Sequence, residues 1–552
     1  MVMTSRELSY IAGLGLTPLL GETLGECVTR ASKAYPDQEA LVSRHQQVCY
    51  TYGDLDAAVT RVAAGLLALD VNAGDRVGIW CTNCVEWVLT QYAAARIGAL
   101  FVTLNPSYRR HELEHALRIA GASVLIVGEG LGDESADAPD GQLSRDLRST
   151  LPLLRHVVLV GSQPNVDGVR WSDLLSMGAD VPETTVSARQ EACQFDDPVA
   201  ILFTSGTTGA PKGATLSHHT IVNCGYFMGE RLGFTRDDRI SVPVPFYHCL
   251  GCVMANVAAL THGSTIVLPA QGFEPTTCLE AIAEERCTAL YGVPTMFIEL
   301  LGHPELVHTR CESLRTGIMA GAPCPIDLMR QVIAQLHLPE LTICYGMTET
   351  PPITQSLRDD PLEDLVSTVG TVHPHVECKI VDPETGQVVE RNVTGELCAR
   401  GYGVMRGYWN DAEATRGTID AAGWIHTGDL ASMRDDGHVR IVGRIKDMVI
   451  RGGENIVPSE IEQTIRGHAS VRDVYVVGVP DPDYGEELCA CVSLRDGTTA
   501  TPQEIRKHCR QRLAPYKVPR HVVFRSTFPM TVTGKVQKFR LREQAIGALG
   551  LS

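Results

Sequence analysis

Apolar positions recur along the first two-thirds of the chain in two alternating rhythms. Leu55, Val59, Val62, Leu66 and Leu69 fall at helical spacing, and residues 77–80 then make a short, nearly continuous apolar run. The pattern predicts a helix followed by a buried strand. A helical run at 85–97 precedes a strand at 100–103, and one at 112–119 precedes a strand at 123–127. The same rhythm returns in strands at 200–204 and 265–268, a helix through Ile282 and a strand at 288–291. Helices and strands alternating in this way imply α/β structure, with parallel sheets covered by helices.

Beyond about residue 375 the texture changes to short strands and tight turns: a strand at 378–381, a turn at 382–386 and a strand at 396–400. After Arg444 a third texture mixes a helix at 458–466, strands at 473–479 and 489–494, and a helix at 502–513. The expected architecture is a large N-terminal domain, residues 1–444, of α/β layers plus a small β-barrel-like part. A small α+β domain follows at 445–552. The stretch 128–148 is rich in Gly, Asp and Ser and reads as an exposed loop. With 552 residues, the chain exceeds a single core at roughly 150 residues per domain.

Composition narrows the partners. The formal net charge is −17 and no basic stripe stands out, which argues against nucleic acid. No apolar run reaches the ~18 residues of a membrane-spanning helix. The opening residues carry Glu7, Glu22 and Glu26, unlike a transit peptide, so the expected compartment is the cytoplasm. The 18 cysteines are scattered through apolar stretches as small buried hydrophobes in a reducing compartment. Two C-x-x-C pairs, Cys81 with Cys84 and Cys249 with Cys252, are too far apart in sequence to suggest one zinc site.

The most informative segment runs Thr204, Ser205, Gly206, Thr207, Thr208, Gly209, Ala210, Pro211, Lys212, Gly213 after an apolar strand. Glycines let backbone N–H groups turn toward an anion, hydroxyls add donors, and a lysine supplies a point charge for a polyphosphate. The spacing is not that of a P-loop NTPase, because Gly213 follows Lys212 where Ser or Thr should stand. A polar surface turn would explain a generic loop of this composition. Nearly residue for residue, however, this one resembles the signature loop of the adenylate-forming superfamily, which includes acyl-CoA synthetases, firefly luciferases and peptide-synthetase adenylation domains.

Further elements of that family follow in order. Gly321, Ala322 and Pro323 resemble its adenine-side turn. Tyr345, Gly346, Met347, Thr348 and Glu349 resemble its Y-G-x-T-E element. The resemblance implies that the tyrosine lies against adenine, the threonine meets the α-phosphate and Glu349 helps hold Mg²⁺. Asp429 in Thr427-Gly428-Asp429 is implied to accept hydrogen bonds from both ribose hydroxyls, and Arg444 to reach the same sugar. The same resemblance implies that 445–552 is a mobile domain with Lys446 at its hinge, and that Gly452, Gly453 and Glu454 lie on the loop lining the pantetheine tunnel. Lys535 is the family's lysine between the substrate carboxylate and the α-phosphate.

Other matches are 50–55 and 105–108 near the start, and 245–251 and 448–455, through which the chain is closest to the medium-chain acyl-CoA synthetases. Val457 stands where that branch usually has an aromatic residue. The implied activity is ATP-dependent formation of an acyl-adenylate from a fatty acid, then transfer to coenzyme A. His248 is expected near the carboxylate end of an acyl tunnel lined by 248–254 and 293–297. An acyl carrier protein is the alternative acceptor, and the sequence leaves the oligomeric state open.

Overall fold

The computed structural model describes residues 7–131, 142–161, 168–204, 211–322, 324–451, 454–530 and 536–551, and of 142, 143, 454 and 455 it describes the backbone alone. Two compact units emerge. One comprises Ala12–Glu377 and Ala399–Ile425, and the other falls within Met1–Ile11, Cys378–Cys398 and His426–Ser552.

The larger unit carries two sheets. The first runs, neighbour to neighbour, through Gly407–Tyr408, Lys212–Ser217, Pro198–Thr204, Leu100–Thr103, Arg76–Trp80, Val124–Val127, His156–Leu159 and Val169–Arg170. The second runs through Thr371–Val372, Thr350–Gln355, Glu340–Met347, Thr316–Met319, Ala289–Gly292, Arg239–Ser241, Thr265–Leu268, Glu39–Ser43 and Val48–Thr51. Central strands such as Leu100–Thr103 and Thr265–Leu268 are buried along their whole length, as parallel strands covered on both faces must be. Helix Tyr52–Ala68 starts with a capping box: Thr51 accepts from the Asp54 N–H, and Asp54 accepts from the Thr51 N–H. Such a cap contributes about 1 kcal/mol, and it gives the 50–55 element a structural task.

Two expectations need correction. The sheets are mixed, not parallel throughout: Lys212–Ser217 returns antiparallel on Pro198–Thr204, and Thr350–Gln355 on Glu340–Met347. Only Thr348 and Glu349 separate the latter two strands, too short for a crossover helix, so the alternation argument does not reach them. The stretch 128–148 is also not all loop, because helix Gln142–Thr150 occupies its end. Leu147 is buried there with Leu151 and Leu154 on the sheet core, an apolar face that the polar composition concealed.

The second unit contains most of a small sheet ordered Tyr10–Ala12, Val376–Val381, Gly395–Gly401, Ile425–Met433 and Val439–Arg444. It also contains an α+β portion in which Gly485–Leu494 is flanked by Val471–Asp481 and by the parallel strand His521–Phe524. Helices Pro458–Arg466 and Pro502–Arg510 cover this portion over a core that includes Ile461, Ile465, Val476, Leu488 and Ile505. The small sheet thus groups with the C-terminal segment. Ser459 Oγ donates to the Val442 carbonyl, and a Cβ on Gly443 would lie 2.6 Å from Val457 Cγ1. Among the described residues no helix is long and apolar enough to cross a membrane.

Candidate active site

In the nine-stranded sheet, four adjacent strands place their carboxyl ends side by side: Arg239–Ser241, Ala289–Gly292, Thr316–Met319 and Glu340–Met347. The residues that follow them are the His248 run, the 293–297 run, Gly321 with Ala322, and the Thr348–Glu349 turn. Open α/β sheets bind ligands at this edge. Sequence candidates separated by a hundred residues therefore share one edge of one sheet.

The two ends of the phosphate-loop segment lie on adjacent antiparallel strands. Thr204 and Lys212 are cross-strand partners, and Thr204 Oγ1 donates to the Lys212 carbonyl at 3.5 Å. The candidates Ser205, Gly206, Thr207, Thr208, Gly209 and Ala210 lie outside the described residues, as do Pro323, Gly452, Gly453 and Lys535.

Tyr345, Gly346 and Met347 end one strand, and Met347 pairs with Thr350. Thr348 and Glu349 are thereby held as the two turn residues. Glu349 is only 6% exposed, and its Oε1 accepts the Tyr408 hydroxyl at 2.7 Å. Among the described residues no basic side chain forms an ion pair with it. Burial, then the Glu349 charge beside it, pushes the Tyr408 phenol well above its usual range, so it stays a protonated donor. The Lys212 ammonium lies over the Tyr408 ring, 5.0 Å from its centroid. Burial raises the Cys249 thiol to about 12 with help from Glu349, while a hydrogen bond with Thr348 opposes the shift. A neutral thiol thus lies beside this turn. His248 caps helix Cys249–Cys252, its Nδ1 accepting from the Leu250 N–H at 3.3 Å. Cys249 through Met254 are buried, as is Phe297, whereas Thr295 is exposed.

The second unit holds its candidates differently. Asp429 and Arg444 are cross-strand partners joined by an ion pair, Nε to Oδ1, of 2.7 Å. The turn before Asp429 is built from side chains. Thr427 Oγ1 donates to the Leu397 carbonyl at 2.7 Å, and Glu396 accepts from the Gly428 N–H at 3.1 Å and from His426 Nδ1 at 2.8 Å. Gly428 sits at φ +70°, where a side chain would be strained. Glu396, His426 and Cys398 offer three donor atoms within 4.8 Å of one another, but both Glu396 oxygens already accept N–H groups. Lys446 is exposed in the single turn Ile445–Asp447. Arg451, just before the candidates Gly452 and Gly453, pairs with the fully buried Glu487 at 2.8 Å, and Glu454 opens strand Glu454–Ile456.

Sequence reasoning missed Tyr408, Glu396 and Lys538. Tyr408 meets Glu349 across 59 positions, and no local pattern announces such a pair. Lys538 reaches Glu462 at 2.8 Å and Asp447 at 4.0 Å, which only the folded C-terminal portion brings near.

The arrangement defines a class. Residues 28–409 match the family model of AMP-binding enzymes, and 460–535 match the AMP-binding enzyme C-terminal domain. This chain belongs to the AMP-binding enzyme family. A putative acyl-CoA synthetase of Bacillus subtilis (strain 168), YngI, is 41% identical over 550 residues, spanning 97% of this chain and 100% of that protein. The mitochondrial medium-chain acyl-CoA ligase ACSF2 of Danio rerio is 41% identical, over 98% of this chain and 91% of its own length. Among solved structures, ATP-bound MatB from Rhodopseudomonas palustris superposes with a TM-score of 0.83 at 30% identity, covering 94% of this chain and 98% of that one.

Proposed function

We propose that this AMP-forming acyl-CoA ligase acts on medium-chain fatty acids, with Glu349 as its magnesium carboxylate. The observation that carries the metal reading is a buried carboxylate met, among the described residues, only by a neutral hydroxyl. Burying a carboxylate is costly unless a cation compensates it, and a hard oxygen donor suits magnesium. When bound, magnesium would offset charge on the triphosphate.

In the first half-reaction a carboxylate oxygen of the acid attacks the α-phosphorus of ATP, and the bond to pyrophosphate breaks. Two anions approach each other, and Lys535 is assigned the cation between them. Thr348 donates to the α-phosphate, and Tyr345 lies against adenine beside Gly321, Ala322 and Pro323. The loop from Thr204 to Lys212 closes on the outer phosphates. Asp429 takes the ribose hydroxyls and Arg444 reaches the same sugar. In the second half-reaction the CoA sulfur attacks the acyl carbon and AMP leaves. We assign Lys446 the turn by which residues 445–552 present Lys535 for the first step and Gly452, Gly453 and Glu454 for the second.

The name of one full-length relative and the apolar runs 248–254 and 293–297 support the medium-chain reading. Each CH₂ buried in an apolar tunnel contributes roughly 0.8 kcal/mol, so kcat/KM rises with chain length until the tunnel is full. Pyrophosphate release measured from acetate to palmitate, with and without CoA, tests this. A maximum near octanoate is expected, and preference for acetate or an aromatic acid overturns the chain-length reading. AMP release that needs a carrier protein and ignores CoA overturns the acceptor. Lys535→Ala should lower pyrophosphate release by about 10²- to 10³-fold and spare thioester formation from supplied acyl-AMP. Equal loss of both steps overturns its assignment.

A further inference from the structure

The short segment from Met405 to Trp409 touches both arms of the phosphate machinery. Its Met405 N–H donates to the Glu349 carbonyl at 2.8 Å. The Arg406 and Trp409 N–H groups donate to Thr215 and Gly213, on the strand that leaves the phosphate loop, at 2.8 and 2.7 Å. Tyr408 and Ala214 are cross-strand partners on that strand. Backbone bonds thus fix the Tyr408 Cα against both Glu349 and the Lys212 strand. Its side chain completes the bridge, with the hydroxyl on Glu349 Oε1 and the ring under the Lys212 ammonium.

The direction of the hydroxyl is also set. Tyr408 shares a hydrogen bond with Thr418, and a carboxylate can only accept, so the phenol proton points at Glu349. With one carboxylate oxygen held, the carboxylate plane cannot rotate freely. A cation over a ring face gains attraction from the aromatic quadrupole, which restrains the flexible lysine stem.

We propose that Tyr408 is a positioning residue for acyl-adenylate formation: it orients Glu349 toward magnesium and Lys212 toward the phosphates, and it touches neither substrate. This rests on the reading of Glu349 as the magnesium carboxylate. The role falls on the adenylation half-reaction alone, because thioester formation from acyl-AMP involves no triphosphate. Tyr408→Phe keeps the ring and removes the hydroxyl. Losing one hydrogen bond to a charged group costs on the order of a 10-fold change.

The experiment compares the parent, Tyr408→Phe, Glu349→Gln and the double variant. Calorimetry measures ATP affinity with magnesium chloride and with EDTA, alongside pyrophosphate release from octanoate and thioester formation from supplied octanoyl-AMP. Tyr408→Phe should melt like the parent, lose roughly 10-fold of the magnesium-dependent gain in ATP affinity and of kcat for pyrophosphate release, and keep its KM for octanoate and its thioester rate. The double variant should match Glu349→Gln, because Tyr408 acts through that carboxylate. A full magnesium gain in Tyr408→Phe, with the gain lost in Glu349→Gln, overturns this inference alone. Losses that multiply in the double variant overturn it as well. A full gain in Glu349→Gln overturns the magnesium reading, and this inference with it.

Discussion

Glu349 and Asp429 are equally hidden, 6% and 5% exposed, yet their charges are met in opposite ways. Asp429 faces a guanidinium that its own sheet supplies, at 2.7 Å. Glu349 faces a phenol. A carboxylate already paired with Arg444 is suited to accept hydrogen bonds from neutral hydroxyls such as those of a ribose, since its charge is compensated before the ligand arrives. A carboxylate given only a neutral donor keeps its charge for an incoming cation. On the proposed assignments, sugar recognition and metal recognition differ in the partner built beside each acid.

The sharpest way to break this comparison is to neutralise each acid in turn. Glu349→Gln should lower kcat for pyrophosphate release by about 10²- to 10³-fold, the usual cost of removing one preorganised charge from a phosphoryl-transfer site. A residual rate close to the parent would deprive Glu349 of its cation. Asp429→Asn should act mainly on KM for ATP, raising it roughly 10-fold through lost charge-assisted hydrogen bonds. Arg444 is 33% exposed, so solvent screens its lost partner and stability should fall by only about 1 kcal/mol in thermal melts. If 2′,3′-dideoxy-ATP bound the parent as well as ATP, the sugar assignment would fail.

Acid offers a milder distinction. His218 is buried and accepts the Leu24 N–H on Nδ1, and burial lowers it to about 4, with Asp197 working weakly the other way. His373, in the same large unit as Glu349, is pushed well below its usual range by burial and then by Arg231. A folded-state pKa below the unfolded value of about 6.5 means that the unfolded chain binds the proton first as pH drops. The stabilisation is complete above about pH 6.5 and is lost as pH falls toward 4, at most about 1.4 kcal/mol per pH unit for each histidine. Melting temperatures between pH 7.5 and 4.5 should fall on acidification, and His218→Gln should flatten part of the slope. An unchanged slope would mean that His218 charges freely in the folded state.

How much of this was legible beforehand follows from which forces act locally. Residues 100–103 and 265–268 match their strands end to end, and 458–466 matches its helix, because apolar runs, or a proline at the first helical turn, mark those limits. Hairpin direction was not legible, since antiparallel return at 204–212 depends on a loop whose glycines equally suit a strand-to-helix turn. Lys212, Glu349 and Asp429 stood out in the sequence because they fall in segments that resemble family motifs in a fixed order. Their supports did not. Tyr408 sits on a two-residue strand, and Glu396 near the start of a mostly apolar one, and each has its partner distant in sequence.

The smallest predicted effect concerns the Asp429 side, where the proposed hinge lies. The proposed turn at Lys446 lies between Arg444 and helix Pro458–Arg466, yet Ser459 bonds to the Val442 carbonyl across it and Val457 packs on Gly443. Rotation of 445–552 about Lys446 must break that hydrogen bond, so it stabilises the present arrangement by about 1 kcal/mol. Ser459→Ala should remove this bias and shift the balance of the two arrangements about 5-fold. The half-reaction that uses the present arrangement then slows while the other quickens, each by up to about 5-fold where rearrangement limits the rate. Single-turnover measurements of acyl-AMP formation and of its conversion to thioester would read the two changes separately. Opposite signs are expected. Matching losses in both steps would mean that Ser459 serves the fold alone, and that the tie to Val442 places no restraint on the hinge.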